Sequence, residues 1–103
     1  MKVIDIAKDF SRFPTGRKKR DGNTSGEEFR EKHLMPLVAK RTPLTVILDG
    51  TIGYGSSFLD EAFGGLVREC NISADEALSL ITLETKNKAL KQEIIKYIKE
   101  ALD

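Results

Sequence analysis

The amino-acid sequence predicts a small α/β protein in which helices pack on a largely parallel sheet. Segments rich in β-branched residues alternate along the chain with segments whose apolar residues recur every three or four positions, which is typical of strand–helix–strand units. The chain has 103 residues, of which 40% are hydrophobic and 32% charged. This length and composition fit one domain over residues 1–103 with a single core.

The first strand is predicted at residues 1–6, where β-branched side chains alternate weakly with polar ones. Residues 7–24 contain Pro14 and Gly16 but few large apolar residues, so they are predicted to be loop, with a short strand near residues 10–13 left open. A helix should follow this loop.

Ser25 and Glu28 have the spacing of a capping box, which predicts that the first helix begins just after Ser25. Apolar side chains give this helix one rough apolar side: Phe29, Leu34, Leu37 and Val38. Pro36 lacks an amide hydrogen and is therefore predicted to end or kink the helix.

The clearest strand is predicted at residues 43–50. Its run at residues 44–48 is short and nearly all apolar, which is typical of a central strand covered on both faces. A turn at residues 51–55 follows, and a second helix is predicted to start at Ser56 or Ser57. Its apolar residues recur at helical spacing: Phe58, Leu59, Ala62, Phe63, Leu66, Val67 and Cys70.

Two glycines, Gly64 and Gly65, lie inside this second helix. Each costs about 1 kcal/mol relative to alanine in a helix interior. Close packing of the helix backbone on the sheet or on a partner should offset that cost.

A second capping box, Ser73 with Glu76, opens a short helix. Residues 80–84 suit a strand, whereas Ala77 and Leu78 suit the helix before it, so the sequence leaves this boundary open. The last helix begins at Asn87, and its apolar face consists of Leu90, Ile94, Ile95, Ile98 and Leu102.

Charge and cysteine content exclude several classes of function. The 17 basic and 16 acidic residues give a net charge of +1, which disfavours a nucleic-acid partner. A single cysteine, Cys70, excludes an internal disulfide and a cysteine-rich zinc site, so no metal or cofactor is expected. Cys70 is interpreted as a small core residue, and His33, the only histidine, as either a solvated or a helix-edge residue.

The chain contains no apolar run of transmembrane length and no signal-peptide core, so we expect a cytoplasmic location and no membrane partner. It also lacks a convincing set of nucleophile, base and orienting group. We therefore expect a protein that is not an enzyme.

The turn between the central strand and the second helix is the first candidate site. The carboxyl end of a strand and the following helix N-terminus form the usual ligand edge of an open α/β sheet, and the free amide groups there favour an anion. Ser56 and Ser57 are placed to cap the helix, and a phosphate on either would lie in that favourable field. The alternative is a plain capped turn, because the P-loop and nucleophile-elbow patterns are both missing.

A basic segment is the second candidate. Five of the 17 basic residues fall within residues 12–20, and a mobile loop at residues 16–22 is able to clamp phosphate, RNA or an acidic partner. Its candidate anion-binding residues are Arg17, Lys18, Lys19 and Arg20. The alternative is a solvated loop.

The adjacent carboxylates Asp60 and Glu61 are a third candidate, because paired carboxylates can do acid–base work or bind a metal. Neighbouring residues of a helix point in different directions, so the two are instead interpreted as an exposed acidic helix face.

The stretches at residues 25–31 and 46–66 resemble a bacterial STAS-like domain of unknown function, with residues 53–66 the most specific part. The resemblance implies a small sheet of about four strands with helices packed on it. STAS domains include the anti-sigma factor antagonists, in which a serine or threonine starts a helix after a strand and a short loop. A serine-protein kinase of the GHKL ATPase type phosphorylates that residue, and the phosphate weakens binding to the kinase, which is also the anti-sigma factor.

By this resemblance Ser56 matches the phosphoacceptor and Ser57 the residue after it. The sequence departs from the antagonists at Gly55, where they usually have an acidic residue, and at Phe58, where they have glycine. The resemblance implies a regulatory protein-binding module of a bacterial signalling system with a GHKL-type ATPase or kinase as partner. The partner-binding candidates are Gly53, Tyr54, Gly55, Phe58, Asp60 and Glu61.

The alternative function is a phosphate-ligand or nucleic-acid binding module. It would use the loop at residues 53–57 together with the basic loop at residues 16–22. Self-association is open under either interpretation.

Overall fold

The sheet at the centre of the fold has three parallel strands. In the computed structural model, which describes residues 2–102, these are β1 (Lys2–Asp5), β2 (Leu44–Ile47) and β3 (Ile81–Glu84). β2 lies in the middle and pairs in parallel with both neighbours. The predicted α/β class with a parallel sheet is therefore confirmed.

The helices alternate with the strands in chain order. Their bounds are α1 (Gly26–Phe29, then a π-helical turn at Arg30–Leu34, then Met35–Ala39), α2 (Ser56–Leu59, then a π-helical turn at Asp60–Gly64, then Gly65–Glu69), α3 (Ala74–Leu80) and α4 (Lys88–Lys99). The predicted N-caps are confirmed, since Ser25 accepts the Glu28 amide and Ser73 the Glu76 amide, both at 3.1 Å.

Helix α1 continues past Pro36 to Ala39, with its irregular turn just before the proline. In that turn the Met35 amide donates to the Arg30 carbonyl, five residues earlier, which is the hydrogen bond of a π-helix. Pro36 has no amide hydrogen to donate. It lies just after the π-helical turn, where the regular α-helical hydrogen bonding is already interrupted.

The expectation of about four strands is wrong, because no further strand is found in the part of the chain that the structure describes. The region near residues 10–13 is not a strand. Instead Ile6–Phe10 forms a π-helical turn that begins at Asp5, whose side chain accepts the Lys8 amide. The Phe10 ring then packs edge-on against Phe29 of α1, with 5.2 Å between the ring centroids, so burial of this aromatic ring takes precedence over strand pairing.

One face of the sheet is covered by the helices and the other is open. Ile4, Val46 and Leu83 lie side by side on the covered face and are buried, whereas Val3 on the opposite face is 58% exposed. The prediction that the central strand is covered on both faces is therefore wrong. The strand order follows the chain order, so two right-handed crossovers necessarily place their helices on the same side.

The two glycines inside α2 are explained by close packing. A Cβ atom at Gly65 would overlap the guanidinium group of Arg30. A Cβ atom at Gly64 would lie 3.2 Å from the Tyr97 carbonyl oxygen of α4. The cost of both glycines is thus offset by contacts with neighbouring helices rather than with the sheet.

Candidate functional site

The loop that follows β2 at the carboxyl edge of the sheet is anchored by Tyr54. The Tyr54 hydroxyl donates a hydrogen bond to the Leu48 carbonyl, and its ring packs on Phe58 with 6.1 Å between centroids. Burial raises the pKa of Tyr54 to about 12, so the hydroxyl stays protonated and remains a donor at neutral pH. Tyr54, a predicted partner-binding residue, therefore holds the loop in place from a half-buried position.

Asp49 joins this loop to the end of β3. Its carboxylate accepts the Thr85 hydroxyl at 2.6 Å and the Lys86 amide at 3.0 Å, and these hydrogen bonds lower the pKa of Asp49. A cleft of about 440 Å³ opens between the loop and the start of α4, where Asn87 and Glu93 line it. At the carboxyl edge of the sheet, the loop after β2 and the loop after β3 are therefore linked by hydrogen bonds.

Helix α2 begins at this edge with Gly55 as its N-cap. Ser56 and Ser57 are both exposed, and neither side chain caps the helix. The prediction that a serine caps α2 is wrong, because the extended backbone of Gly55 already occupies the cap position. The Ser56 side chain instead hydrogen-bonds the Tyr97 hydroxyl of α4, and both serines lie at the exposed surface.

Two large apolar side chains are exposed beside these serines. Ile52 is 69% exposed and Phe13 59%. Their segments are joined, since the Ile52 amide donates to the Arg12 carbonyl at 2.9 Å and the Gly55 amide to the Pro14 carbonyl at 3.5 Å. We call Phe13 and Ile52 the apolar edge patch. Sequence reasoning missed it, because a single apolar residue in a loop gives no local signal of whether its side chain is exposed.

The basic loop is not a free anion clamp, because most of its cations are already paired. Arg17 lies 2.7 Å from the Asp60 carboxylate, Lys18 lies 3.3 Å from Glu61, and Lys19 pairs with Glu31. Arg20 is exposed and forms no ion pair within residues 2–102. The loop is therefore joined to α1 and α2 by ion pairs with carboxylates that are distant in sequence, while the three paired cations stay 40–50% exposed.

Glu61 lies in the interior rather than on an exposed acidic face. The guanidinium of Arg30 donates to the Glu61 carboxylate at 2.8 Å and also to the Glu61 carbonyl, and the two side chains are 3% and 5% exposed. This pair joins the π-helical turns of α1 and α2. The interpretation of Asp60 and Glu61 as an exposed face is wrong, since Glu61 is buried and Asp60 half-buried.

The burial of α2 also corrects the predicted contact surface. Phe58 is fully buried among Phe10, Phe29 and Tyr54, and Glu61 is held by Arg30, so neither is available to a partner. Gly53, by contrast, is exposed, and a Cβ atom at this position would have no neighbour within 4 Å.

The only histidine and cysteine both lie half-buried beside the core. The His33 ring packs against Phe10 and Phe29, with 5.8 and 5.5 Å between centroids, and burial lowers its pKa. The prediction of a solvated histidine is therefore wrong. Cys70 packs on the core, and burial raises its pKa, so its thiol is protonated at neutral pH. No helix within residues 2–102 combines the length and the apolar character needed to cross a membrane.

The ion-paired carboxylates predict how stability depends on pH. Burial alone disfavours ionisation of Glu61 and Asp60, but Arg30 and Arg17 outweigh it, so the pKa of each carboxyl lies below its ordinary value. Their contribution is therefore complete above about pH 4.3 and is lost as the pH falls through the lowered pKa values. Urea unfolding between pH 7 and pH 3 should show this loss.

In Glu61→Gln we expect a fold that is less stable at pH 7 and less sensitive to acid than the wild type. Glu69→Gln, at an exposed position on the same helix, is the matched control and should follow the wild type. If wild type and Glu61→Gln lose stability in parallel on acidification, the proposed contribution of Glu61 is wrong.

The comparison with protein families identifies the family of this chain. The model of the STAS-like domain of unknown function (DUF4325) matches residues 25–91, about two thirds of the chain rather than nearly all of it. The match covers the capped start of α1, the loop after β2 and the serine pair, and leaves out β1 and the basic loop. No curated protein and no solved structure gives a significant match. The chain therefore belongs to the family of STAS-like domains of unknown function.

Proposed function

We propose that the chain is a non-catalytic regulatory module that binds a protein partner at the carboxyl edge of its sheet. The observation that carries this proposal is the apolar edge patch, in which Phe13 and Ile52 are largely exposed next to the start of α2. Large exposed apolar side chains at adjacent positions are a common mark of a protein contact. The hydrogen bond of the Tyr54 hydroxyl to the Leu48 carbonyl fixes the loop that carries Ile52.

The proposed switch is phosphorylation of Ser56 or Ser57. A GHKL-type kinase would transfer the γ-phosphoryl group of ATP to the serine oxygen, releasing ADP and the hydroxyl proton. The phosphate adds a charge of about −1.5 to −2 beside the apolar edge patch, where it would have to be desolvated on docking. Modification should therefore weaken the complex, as the sequence resemblance to the anti-sigma factor antagonists implies.

The ion pairs favour this function over binding of phosphate ligands or nucleic acid. An anion that uses Arg17 or Lys18 must first displace Asp60 or Glu61, both of which are ionised at neutral pH. Arg20 is the remaining cation of that loop. A single exposed cation does not make a nucleic-acid surface.

The test is capture of the tagged protein from its native host, with mass spectrometry of both its peptides and the proteins bound to it. Phe13→Ser/Ile52→Ser should lose the partner, with affinity reduced about 30-fold or more, because exposed anchor residues often contribute about 2 kcal/mol or more. Leu102→Ser is the matched control, since Leu102 is 76% exposed at the other end of the chain. Equal capture by all three proteins would contradict the proposed docking surface.

The switch is tested on the captured partner in purified form. Ser56→Asp/Ser57→Asp should bind it more weakly than Ser56→Ala/Ser57→Ala, and a phosphate on Ser56 or Ser57 should appear after incubation with ATP when the partner is a kinase. Equal affinity of the two variants would show that the serine pair is not a switch.

A further inference from the structure

The His33 side chain of α1 contains a buried nitrogen without a hydrogen-bond partner. Its Nε2 atom is buried, and no group within residues 2–102 hydrogen-bonds it. The ring packs edge-on against Phe10, with 83° between the two planes, and lies tilted against Phe29. A neutral imidazole tolerates such surroundings, whereas an imidazolium carries a positive charge and a donor on both nitrogens. The site therefore suits only the neutral ring.

The charged side chains around His33 do not supply the missing partner. Burial is the largest effect on its pKa, and Lys32 of α1 adds to it, so the pKa lies below its ordinary value of 6.5. Asp9 of the π-helical turn after β1 and Glu28 of α1 act in the opposite direction. The Asp9 carboxylate already accepts the Asp5 amide at 2.8 Å, which fixes it within its own turn.

The aromatic ring that packs edge-on against His33 belongs to the segment that leads to the apolar edge patch. Phe10 is the last residue of the π-helical turn, and its ring contacts both His33 and Phe29. Two residues further on, the Arg12 carbonyl accepts the Ile52 amide at 2.9 Å. A change in the packing of Phe10 on α1 would therefore reach the residues that form the patch.

We propose that His33 is a pH-sensitive switch that controls the packing of residues 6–13 on α1. At neutral pH the uncharged ring packs against Phe10 and keeps this segment closed. Protonation by solvent leaves the imidazolium without a buried acceptor, so the half-buried ring rotates to solvent and the contact with Phe10 is lost.

The direction of the switch follows from proton linkage. The open form, in which the ring is solvated, binds the proton more tightly than the closed form. The closed form is therefore fully favoured above about pH 6.5 and loses stability as the pH falls toward the lowered pKa of His33. Glu61 and Asp60 remain ionised over this range, since the pKa of each lies below its ordinary value.

NMR titration of the His33 imidazole between pH 8 and pH 5 is the first test. The midpoint should lie below 6.5, and the NOE contacts between the rings of His33 and Phe10 should weaken with that same midpoint. The Ser11 amide, which donates to the Ile6 carbonyl at the end of the turn, should exchange about threefold faster or more at pH 5 after correction for its intrinsic rate. The Leu48 amide, bonded within the sheet, is the internal control and should not change.

Two variants separate the imidazole from every other titrating group. His33→Phe keeps an aromatic ring in place without the titration, and His33→Gln removes both the ring and the titration. Neither should show the pH-dependent rise in exchange. Phe13→Ser/Ile52→Ser should leave the His33 midpoint unchanged, so this proposal and the proposed function fail separately.

Three results would each overturn the switch. The first is a His33 midpoint at or above 6.5. The second is a lowered midpoint at which the Phe10 contact persists. The third is a rise in Ser11 exchange that is as large in both variants as in the wild type.

Discussion

Replacing Arg30 with alanine is expected to destabilise the fold by about 3–5 kcal/mol, the range typical when one partner of a buried ion pair is removed. Arg30 is 3% exposed, and its guanidinium reaches both the carboxylate and the carbonyl of Glu61. Without Arg30, the Glu61 carboxylate keeps its ion pairs with Arg17 and Lys18, which are both partly exposed. Urea unfolding at pH 7 measures the loss as a lower midpoint.

The control for Arg30→Ala is a double variant that removes both charges. Arg30→Met/Glu61→Leu should recover most of the stability, because replacing a buried ion pair by apolar residues of similar volume is often neutral or stabilising. A double-mutant cycle with the two single variants gives the coupling between the residues. If Arg30→Ala loses no more stability than a change at an exposed arginine, the pair does not hold α1 against α2.

Replacing Gly26 with alanine is expected to destabilise the fold by about 2–4 kcal/mol, as overpacking and backbone displacement do in a close helix contact. A Cβ atom at this position would overlap the Phe58 carbonyl oxygen and would lie 3.0 Å from the Ala62 amide nitrogen. Both are backbone atoms of α2, which no side-chain rotation can move. Thermal and urea unfolding of Gly26→Ala should therefore show a clear loss.

Gly53→Ala is the matched control, because a Cβ atom there would have no neighbour within 4 Å. Its stability should stay close to that of the wild type or rise slightly, since alanine reduces the entropy of the unfolded chain. Equal stability of Gly26→Ala and the wild type would mean that α1 and α2 can separate at this crossing without cost.

The parts of the fold that depend on neighbouring residues were predictable. The N-caps Ser25 and Ser73 and the presence of strand β2 follow from interactions within a few positions of each residue. The boundary near residue 80, which the sequence left open, is decided by the structure: α3 ends at Leu80 and β3 begins at the next residue. Local hydrogen bonding and periodicity determine such features, and both are visible in a sequence.

The candidate site was only partly predictable. The position of Ser56 and Ser57 at the start of α2 follows from the turn and the helical periodicity. The exposure of Phe13 depends on the course of a loop that is paired with residues 52–55, almost forty positions later. The burial of Phe58 follows in part from its place on the apolar side of α2, but its packing on Phe10 and Phe29 joins it to distant parts of the chain. These two contacts and the exposure of Phe13 have no local signal.

By itself the sequence determined the α/β class, the parallel order of strands and helices, the serine pair at a helix start and the family resemblance. Only the tertiary structure decided the pairing of Arg17 with Asp60, the burial of Glu61 against Arg30, and the sheet face that stays open. These features join residues 31 or 43 positions apart, or depend on the side of the sheet that both crossovers take. The local sequence around a charged or apolar residue is the same whether its side chain faces solvent or packs on a distant helix. Only the tertiary packing determines which of the two occurs.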